Sequence, residues 1–109
     1  MNNPQADLGT ELRAIAKAGF DFLDLTLEPP AAASWRVDVR WLRAALQEHG
    51  LGVVGHTAYY LPIASPFEEV RLAAVSELKR CLTAFAELGV RWMNVHPDHY
   101  APHHDRKFF

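Results

Sequence analysis

Leu51-Gly-Val-Val-Gly-His56 is a short apolar run that follows a helical pattern and a glycine, and it ends on a histidine. A second run, Val90-Arg-Trp-Met-Asn-Val-His96, repeats this arrangement. A third run, at positions 20–28, also follows a helix and a glycine and ends on a carboxylate. Alternating helices and strands predict parallel strands joined by right-handed crossovers. The chain is therefore predicted to be an α/β protein, with its chemistry at the three polar strand ends.

Length, composition and charge restrict the class of protein. The chain has 109 residues, half of them apolar, which is enough for one domain or part of one. Its net charge of −2 comes from interspersed charges, so nucleic acid is not an expected partner. A single cysteine, Cys81, cannot form an internal disulfide, which favours a reducing compartment. We see neither a signal peptide nor a membrane span, and we expect a cytoplasmic protein.

Three helices are predicted, and each is followed by a glycine. Asp7 and Asp38 are suitable N-caps for the first two. Ser65-Pro66-Phe67-Glu68 has the pattern of a capping box, with Ser65 at the N-cap of the third. The predicted buried stripes are Leu8, Leu12 and Ile15, then Val39, Leu42, Ala45 and Leu46, and finally Leu72, Val75, Leu78, Leu82 and Phe85.

Polar side chains lie on one face of two of the predicted strands. A doubly wound sheet is apolar on both faces, whereas the top of a barrel interior is polar. The sequence also contains no glycine-rich dinucleotide motif, no P-loop and no nucleophile elbow. A partial (β/α) barrel is therefore the favoured architecture. The polar sets are Asp24, Thr26 and Glu28 in one strand, and Trp92, Asn94 and His96 in the other.

The segment from His56 to Glu69, the helix after it and Asn94-Val-His96-Pro97 resemble the xylose isomerase-like TIM barrels. That superfamily contains sugar phosphate isomerases/epimerases and the endonuclease IV group. The resemblance implies that residues 1–109 form part of a TIM barrel, with its parallel strands two to four. It also implies that His56 and His96 line a site for a divalent metal ion, namely Mn, Zn, Mg or Co. The family's glycine after His-Pro is replaced here by Asp98.

The resemblance further implies the chemistry of a metal-dependent sugar or sugar phosphate isomerase or epimerase. In such an enzyme the metal polarises a carbonyl and an adjacent hydroxyl while a carboxylate moves the proton. Glu28 is the candidate catalytic carboxylate, and a solvated strand-end carboxylate is the alternative. Tyr59 and Asn94 are candidates for the substrate pocket, although Tyr59 could equally serve packing. Asp24 is interpreted as an interior hydrogen-bonding residue.

A TIM barrel needs roughly 200 residues or more, and only three strands are predicted here. We therefore expect a fragment, either a truncated gene product or a partial gene model, with weak or no metal binding and no activity alone. An endonuclease IV-like zinc phosphodiesterase acting on abasic DNA is one alternative. A non-catalytic half-barrel that serves as an interaction module is the other.

The two outer strands and the tail lead to further expectations. Unpaired strand edges and an uncovered apolar face predict self-association or pairing with a complementary fragment. The polar first ten residues are not expected to cover the edge. The tail is expected to be solvated, with a second weak metal site as the alternative. Its metal-binding residue types are Asp98, His99, His103, His104 and Asp105.

Overall fold

The computed structural model describes residues 1–97, so the predictions for the histidine-rich tail lie outside the described residues. The described elements follow the order α1 (Leu8–Lys17), β1 (Phe22–Leu27), α2 (Val39–Glu48), β2 (Gly52–Thr57), α3 (Glu68–Glu87) and β3 (Met93–Asn94). The strands form one parallel sheet in the order β1-β2-β3. The predicted parallel α/β architecture is confirmed. No helix within residues 1–97 is long and apolar enough to cross a membrane.

The first two helices begin where the sequence predicts. The Asp7 carboxylate accepts a hydrogen bond from the Thr10 N–H at 2.9 Å, and this bond is the main reason that the pKa of Asp7 is lowered. The Asp38 carboxylate accepts from the Trp41 N–H at 3.0 Å in the same way. Each helix is followed by a glycine with positive φ, a conformation that favours glycine. These side-chain caps satisfy N–H groups that the helix cannot pair internally.

The start of α3 differs from the prediction. The helix begins at Glu68, and Phe67 occupies the N-cap position without a side-chain hydrogen bond to the helix. Ser65, the predicted N-cap, instead accepts a hydrogen bond from the Phe67 N–H at 3.2 Å. A serine hydroxyl that bonds two residues along the chain forms a local turn, and this turn competes with the capping box.

The buried stripe of α3 is also different from the predicted one. Leu72 and Leu82 are mostly exposed, Val75 and Leu78 are partly buried, and only Phe85 of the predicted set is fully buried. The Phe85 ring packs directly on β2 at Gly55. A Cβ atom at position 55 would lie only 3.0 Å from the Phe85 ring. Such close packing of helix on sheet favours small side chains at the interface. The other buried residues of α3 are Ala74, Cys81 and Ala84.

The two faces of the sheet have different surroundings. Leu23, Leu25 and Leu27 of β1 are buried in one core with apolar residues of all three helices. The opposite face carries Phe22, which alternates with these leucines and is 65% exposed, and Trp92, just before β3, is 74% exposed. Within residues 1–97, helices therefore cover one face of the sheet, as on the outside of a (β/α) barrel, while no helix or strand covers the face that would line a barrel interior.

Asn2 covers part of the outer edge of β1. Its side-chain Oδ1 accepts from the Thr26 N–H at 2.8 Å, and its Nδ2 donates to the Thr26 carbonyl at 3.3 Å. Its own backbone N–H donates to the Asp24 carbonyl at 3.3 Å. The expectation that the first residues leave this edge uncovered is wrong for these three backbone groups. An asparagine amide carries a donor and an acceptor, so it can pair with strand backbone as another strand would.

We predict that Asn2→Ala lowers the free energy of unfolding by about 1–3 kcal/mol, because the Thr26 backbone groups lose their buried partners. Urea denaturation of the full chain measures this change. Asn3→Ala is the matched control, since the Asn3 side chain accepts only an exposed hydrogen bond, from the Gln5 N–H at 2.9 Å, and its loss should change stability by about 0.5 kcal/mol. Equal effects of the two substitutions would contradict the role given to Asn2.

We also predict that the chain self-associates at micromolar concentration, because the large apolar side chains of Phe22 and Trp92 are exposed at the sheet. Trp92→Ser should weaken this association, as measured by sedimentation velocity over a concentration series. Phe67→Ser is the control, because Phe67 is equally exposed, at 73%, but precedes α3 rather than lying on the sheet. A wild-type chain that stays monomeric at every concentration tested would refute the prediction.

Candidate functional site

The register of the parallel sheet brings the predicted site residues to one end of it. Thr26 of β1 lies opposite His56 of β2, and His56 lies opposite Asn94 of β3. His96 follows Asn94 by two residues, so it continues on the same face just beyond the strand. Because the strands are parallel, their C-terminal ends all lie at one end of the sheet.

The two histidine side chains meet at this end. The Nε2 atoms of His56 and His96 are 2.9 Å apart. The rings are stacked, with centroids 4.9 Å apart and an angle of 22° between their planes. The His56 side chain is 18% exposed, whereas His96 lies on the surface. The His96 ring is therefore open to solvent, whereas the His56 ring is largely shielded within the sheet.

Asp24 contacts the other nitrogen of His56. Its Oδ1 atom lies 2.8 Å from His56 Nδ1, and its side chain is 40% exposed. Asp24 thus forms a hydrogen bond on the face of the sheet opposite the leucine core, as its position in the strand indicates. The identity of its partner depends on the pairing of β1 with β2, which places Asp24 opposite Val54, two residues before His56.

Glu28 lies near the same strand ends but has different partners. Its Oε2 accepts a hydrogen bond from the Thr26 hydroxyl at 3.3 Å. It also lies beside Tyr60, whose pKa is raised first by burial and then by the negative charge and hydrogen bond of Glu28. The described contacts of Glu28 are therefore with Thr26 and Tyr60 rather than with the histidines. Tyr60 keeps its proton at neutral pH and remains a hydrogen-bond donor.

Tyr59 and Asn94, the candidates for the substrate pocket, are both exposed near this end of the sheet. The Tyr59 ring is 63% exposed and packs edge-on against Tyr60, with ring centroids 5.2 Å apart. Asn94 uses its backbone carbonyl to accept a hydrogen bond from the Thr57 hydroxyl at 3.4 Å. Of the two tyrosines, Tyr60 is the one that lies beside Glu28. The sequence pattern does not distinguish Tyr60 from Tyr59.

The donor set fits a shared metal ion in part. Two nitrogens bound to one zinc at about 2.0–2.1 Å each must lie within about 4.2 Å of one another, and the two Nε2 atoms meet this limit. Within residues 1–97, however, no group of three or more His, Cys, Asp or Glu side chains is arranged to hold a metal ion. The described part of the chain therefore offers two converging imidazoles, fewer ligands than a tight site needs.

Cys81 takes no part in this site. It is fully buried on α3 and lines a cavity of about 180 Å³ between the helix and the sheet, together with Leu27 and Thr57. Burial, followed by the charge of Glu77, raises the pKa of its thiol to about 12. At neutral pH the side chain is a protonated thiol, which is a poor metal ligand and a poor nucleophile.

Known proteins with the same fold place this arrangement in context. The model of the xylose isomerase-like TIM barrel family matches residues 12–107. A crystal structure of D-psicose 3-epimerase in the presence of D-fructose superimposes with a TM-score of 0.72 at 18% identity, over 97% of this chain and 39% of the epimerase. D-psicose 3-epimerase from Clostridium cellulolyticum H10 with D-tagatose has a TM-score of 0.68 and 22% identity, over 94% and 37%.

This chain spans about two fifths of the length of those two epimerase structures. No match was found among curated proteins. The epimerase likeness shows the fold, and the family match covers nearly the whole chain. With three parallel strands and helices on one face of the sheet, the chain belongs to the xylose isomerase-like TIM barrel family, as the resemblance in its sequence implies.

Proposed function

We propose that residues 1–109 form part of the barrel of a metal-dependent sugar or sugar phosphate isomerase or epimerase. The convergence of His56 Nε2 and His96 Nε2 to 2.9 Å carries this proposal. It occurs at the C-terminal end of parallel strands, where TIM-barrel enzymes hold their active sites. The fold shared with D-psicose 3-epimerases that were crystallised with D-fructose and D-tagatose supports a sugar as the class of substrate.

In this proposal His56 and His96 hold a divalent metal ion, namely Mn, Zn, Mg or Co, through their Nε2 atoms. Imidazole nitrogen is a suitable ligand for zinc and for other first-row metals. When bound, such an ion polarises a carbonyl or hydroxyl oxygen of the substrate. Further ligands have to come from outside the described residues, from substrate or from water.

Glu28 is the proposed catalytic carboxylate, which takes or returns the proton during isomerisation. The Thr26 hydroxyl donates to its Oε2 and so holds one oxygen in place. Because burial and Glu28 itself raise the pKa of Tyr60, the Tyr60 hydroxyl stays protonated and can donate a hydrogen bond beside the carboxylate.

Tyr59 and Asn94 are the proposed substrate contacts. An exposed tyrosine ring offers an apolar face on which the C–H groups of a sugar can pack. The Asn94 amide offers one donor group and one acceptor to sugar hydroxyls. The balance of 11 basic and 13 acidic residues provides no excess positive charge to neutralise the many phosphates of a DNA backbone, so no observation favours abasic DNA as the substrate.

We predict that the full chain binds Zn²⁺ weakly and that His56→Ala/His96→Ala abolishes this binding, because the two Nε2 atoms are the ligands. Isothermal titration calorimetry measures the affinity. His49→Ala, which alters a histidine at the end of α2, is the control and should leave the affinity unchanged.

A second variant of the chain distinguishes this site from the tail. Deletion of residues 99–109 should leave the strand-end binding in place. If the deletion removes all Zn²⁺ binding while the double histidine variant retains it, the tail is the ligand and the proposed metal site is wrong.

We further predict that D-fructose binds the Zn²⁺-loaded chain weakly and shifts the NMR resonances of Tyr59 and the Asn94 side-chain amide. Heteronuclear correlation spectra recorded during a D-fructose titration provide the measurement, and glycerol at equal concentration serves as the control solute. The shifts should disappear in His56→Ala/His96→Ala. Shifts of equal size in that variant, or none in the wild type, would contradict a sugar site beside the histidines.

A further inference from the structure

The contact between Asp24 and His56 determines which nitrogen of the imidazole carries the proton. An ionised carboxylate accepts hydrogen bonds and donates none. His56 Nδ1, at 2.8 Å from Asp24 Oδ1, must therefore carry a hydrogen to form this bond. A neutral imidazole has one N–H, so the lone pair of His56 lies on Nε2, the atom that faces His96.

For neutral imidazoles, the same reasoning fixes the direction of hydrogen bonding along the three side chains in the absence of metal. His96 Nε2 donates to His56 Nε2 across 2.9 Å, and His56 Nδ1 donates to Asp24. If His56 had its proton on Nε2 instead, Nδ1 and the Asp24 carboxylate would be two acceptors facing each other at 2.8 Å. That arrangement is repulsive, so the carboxylate excludes this tautomer.

Neighbouring groups do not replace Asp24 in this role. Thr26, which is opposite His56 in the sheet, binds Asn2 through its backbone and Glu28 through its hydroxyl. Among residues 1–97, Asp24 is the only carboxylate with a hydrogen bond to His56 or His96, and its partner is His56.

We propose that Asp24 is a positioning residue that holds His56 as the Nδ1–H tautomer and directs the Nε2 lone pair toward the point shared with His96. Its importance for metal binding rests on the function proposed above, whereas the tautomer itself is a property of the metal-free chain. Carboxylates that accept from the distal nitrogen of a ligand histidine orient the ring and make the ligand nitrogen more basic.

Long-range ¹H–¹⁵N correlation spectra of the metal-free full chain test the tautomer directly, at a pH where ordinary imidazoles are neutral, about 8.5. We expect the wild-type spectrum to show His56 protonated on Nδ1. In Asp24→Ala the signal should move to the Nε2–H form or to a mixture of the two. Asp24→Asn, which keeps the shape of the side chain and loses its charge, should give an intermediate spectrum.

Asp21→Asn is the matched control, because it removes an exposed carboxylate just before β1 and leaves the strand ends unchanged. It should keep the wild-type tautomer. Because Asp24 is partly exposed, its substitution should leave the fold intact, and circular dichroism with thermal unfolding checks this point. A wild-type His56 with its proton on Nε2, or a tautomer that does not respond to Asp24→Ala, overturns the proposal.

Zn²⁺ titration of the same variants separates this inference from the proposed function. We expect Asp24→Ala to weaken Zn²⁺ binding by about 10–100-fold and Asp21→Asn to leave it unchanged. Wild-type affinity in Asp24→Ala would overturn the positioning role while the proposed function stands. If the wild-type chain binds no Zn²⁺ but shows the Asp24-dependent Nδ1–H tautomer, the metal site of the proposed function fails and the assignment of the tautomer stands.

Discussion

The parallel pairing of β1 with β2 and of β2 with β3 is the constraint on which the rest of the structure depends. It places Thr26 opposite His56 and His56 opposite Asn94. Side chains in a strand alternate between the two faces, so a shift of this register by one residue would move the polar set into the leucine core. Burial of Leu23, Leu25 and Leu27 against the helices therefore holds the histidines and Asp24 on the open face.

Much of this arrangement follows from local patterns in the sequence. The aspartate caps of α1 and α2, the alternation within β1 and the polar ends of the strands are each encoded within a few neighbouring residues. They predict the α/β class, the parallel sheet and the end of it where His56 and His96 lie. The family resemblance adds the barrel, and the family match confirms it.

Features that depend on distant contacts are not evident in the sequence. The Asp24–His56 contact joins residues 32 positions apart and depends on the register of two strands. The buried face of α3 consists of Phe85, which packs closely on Gly55, with alanine and cysteine side chains in place of most of the leucines that periodicity favours. In the pairing of Asn2 with Thr26, a side-chain amide takes the place of the backbone of a neighbouring strand. Composition alone does not predict this pairing.

The leucines exposed on α3 have a consequence for how such a layered structure can be completed. In the described part of the chain no strand pairs with the outer edge of β3, and the helical layer leaves Leu72 and Leu82 uncovered, at 56% and 51% exposure. A lone strand added beside β3 would pair its backbone groups and leave the leucines in water. A strand followed by its own helix could extend both layers together. This architecture is therefore extended by whole βα modules rather than by single strands.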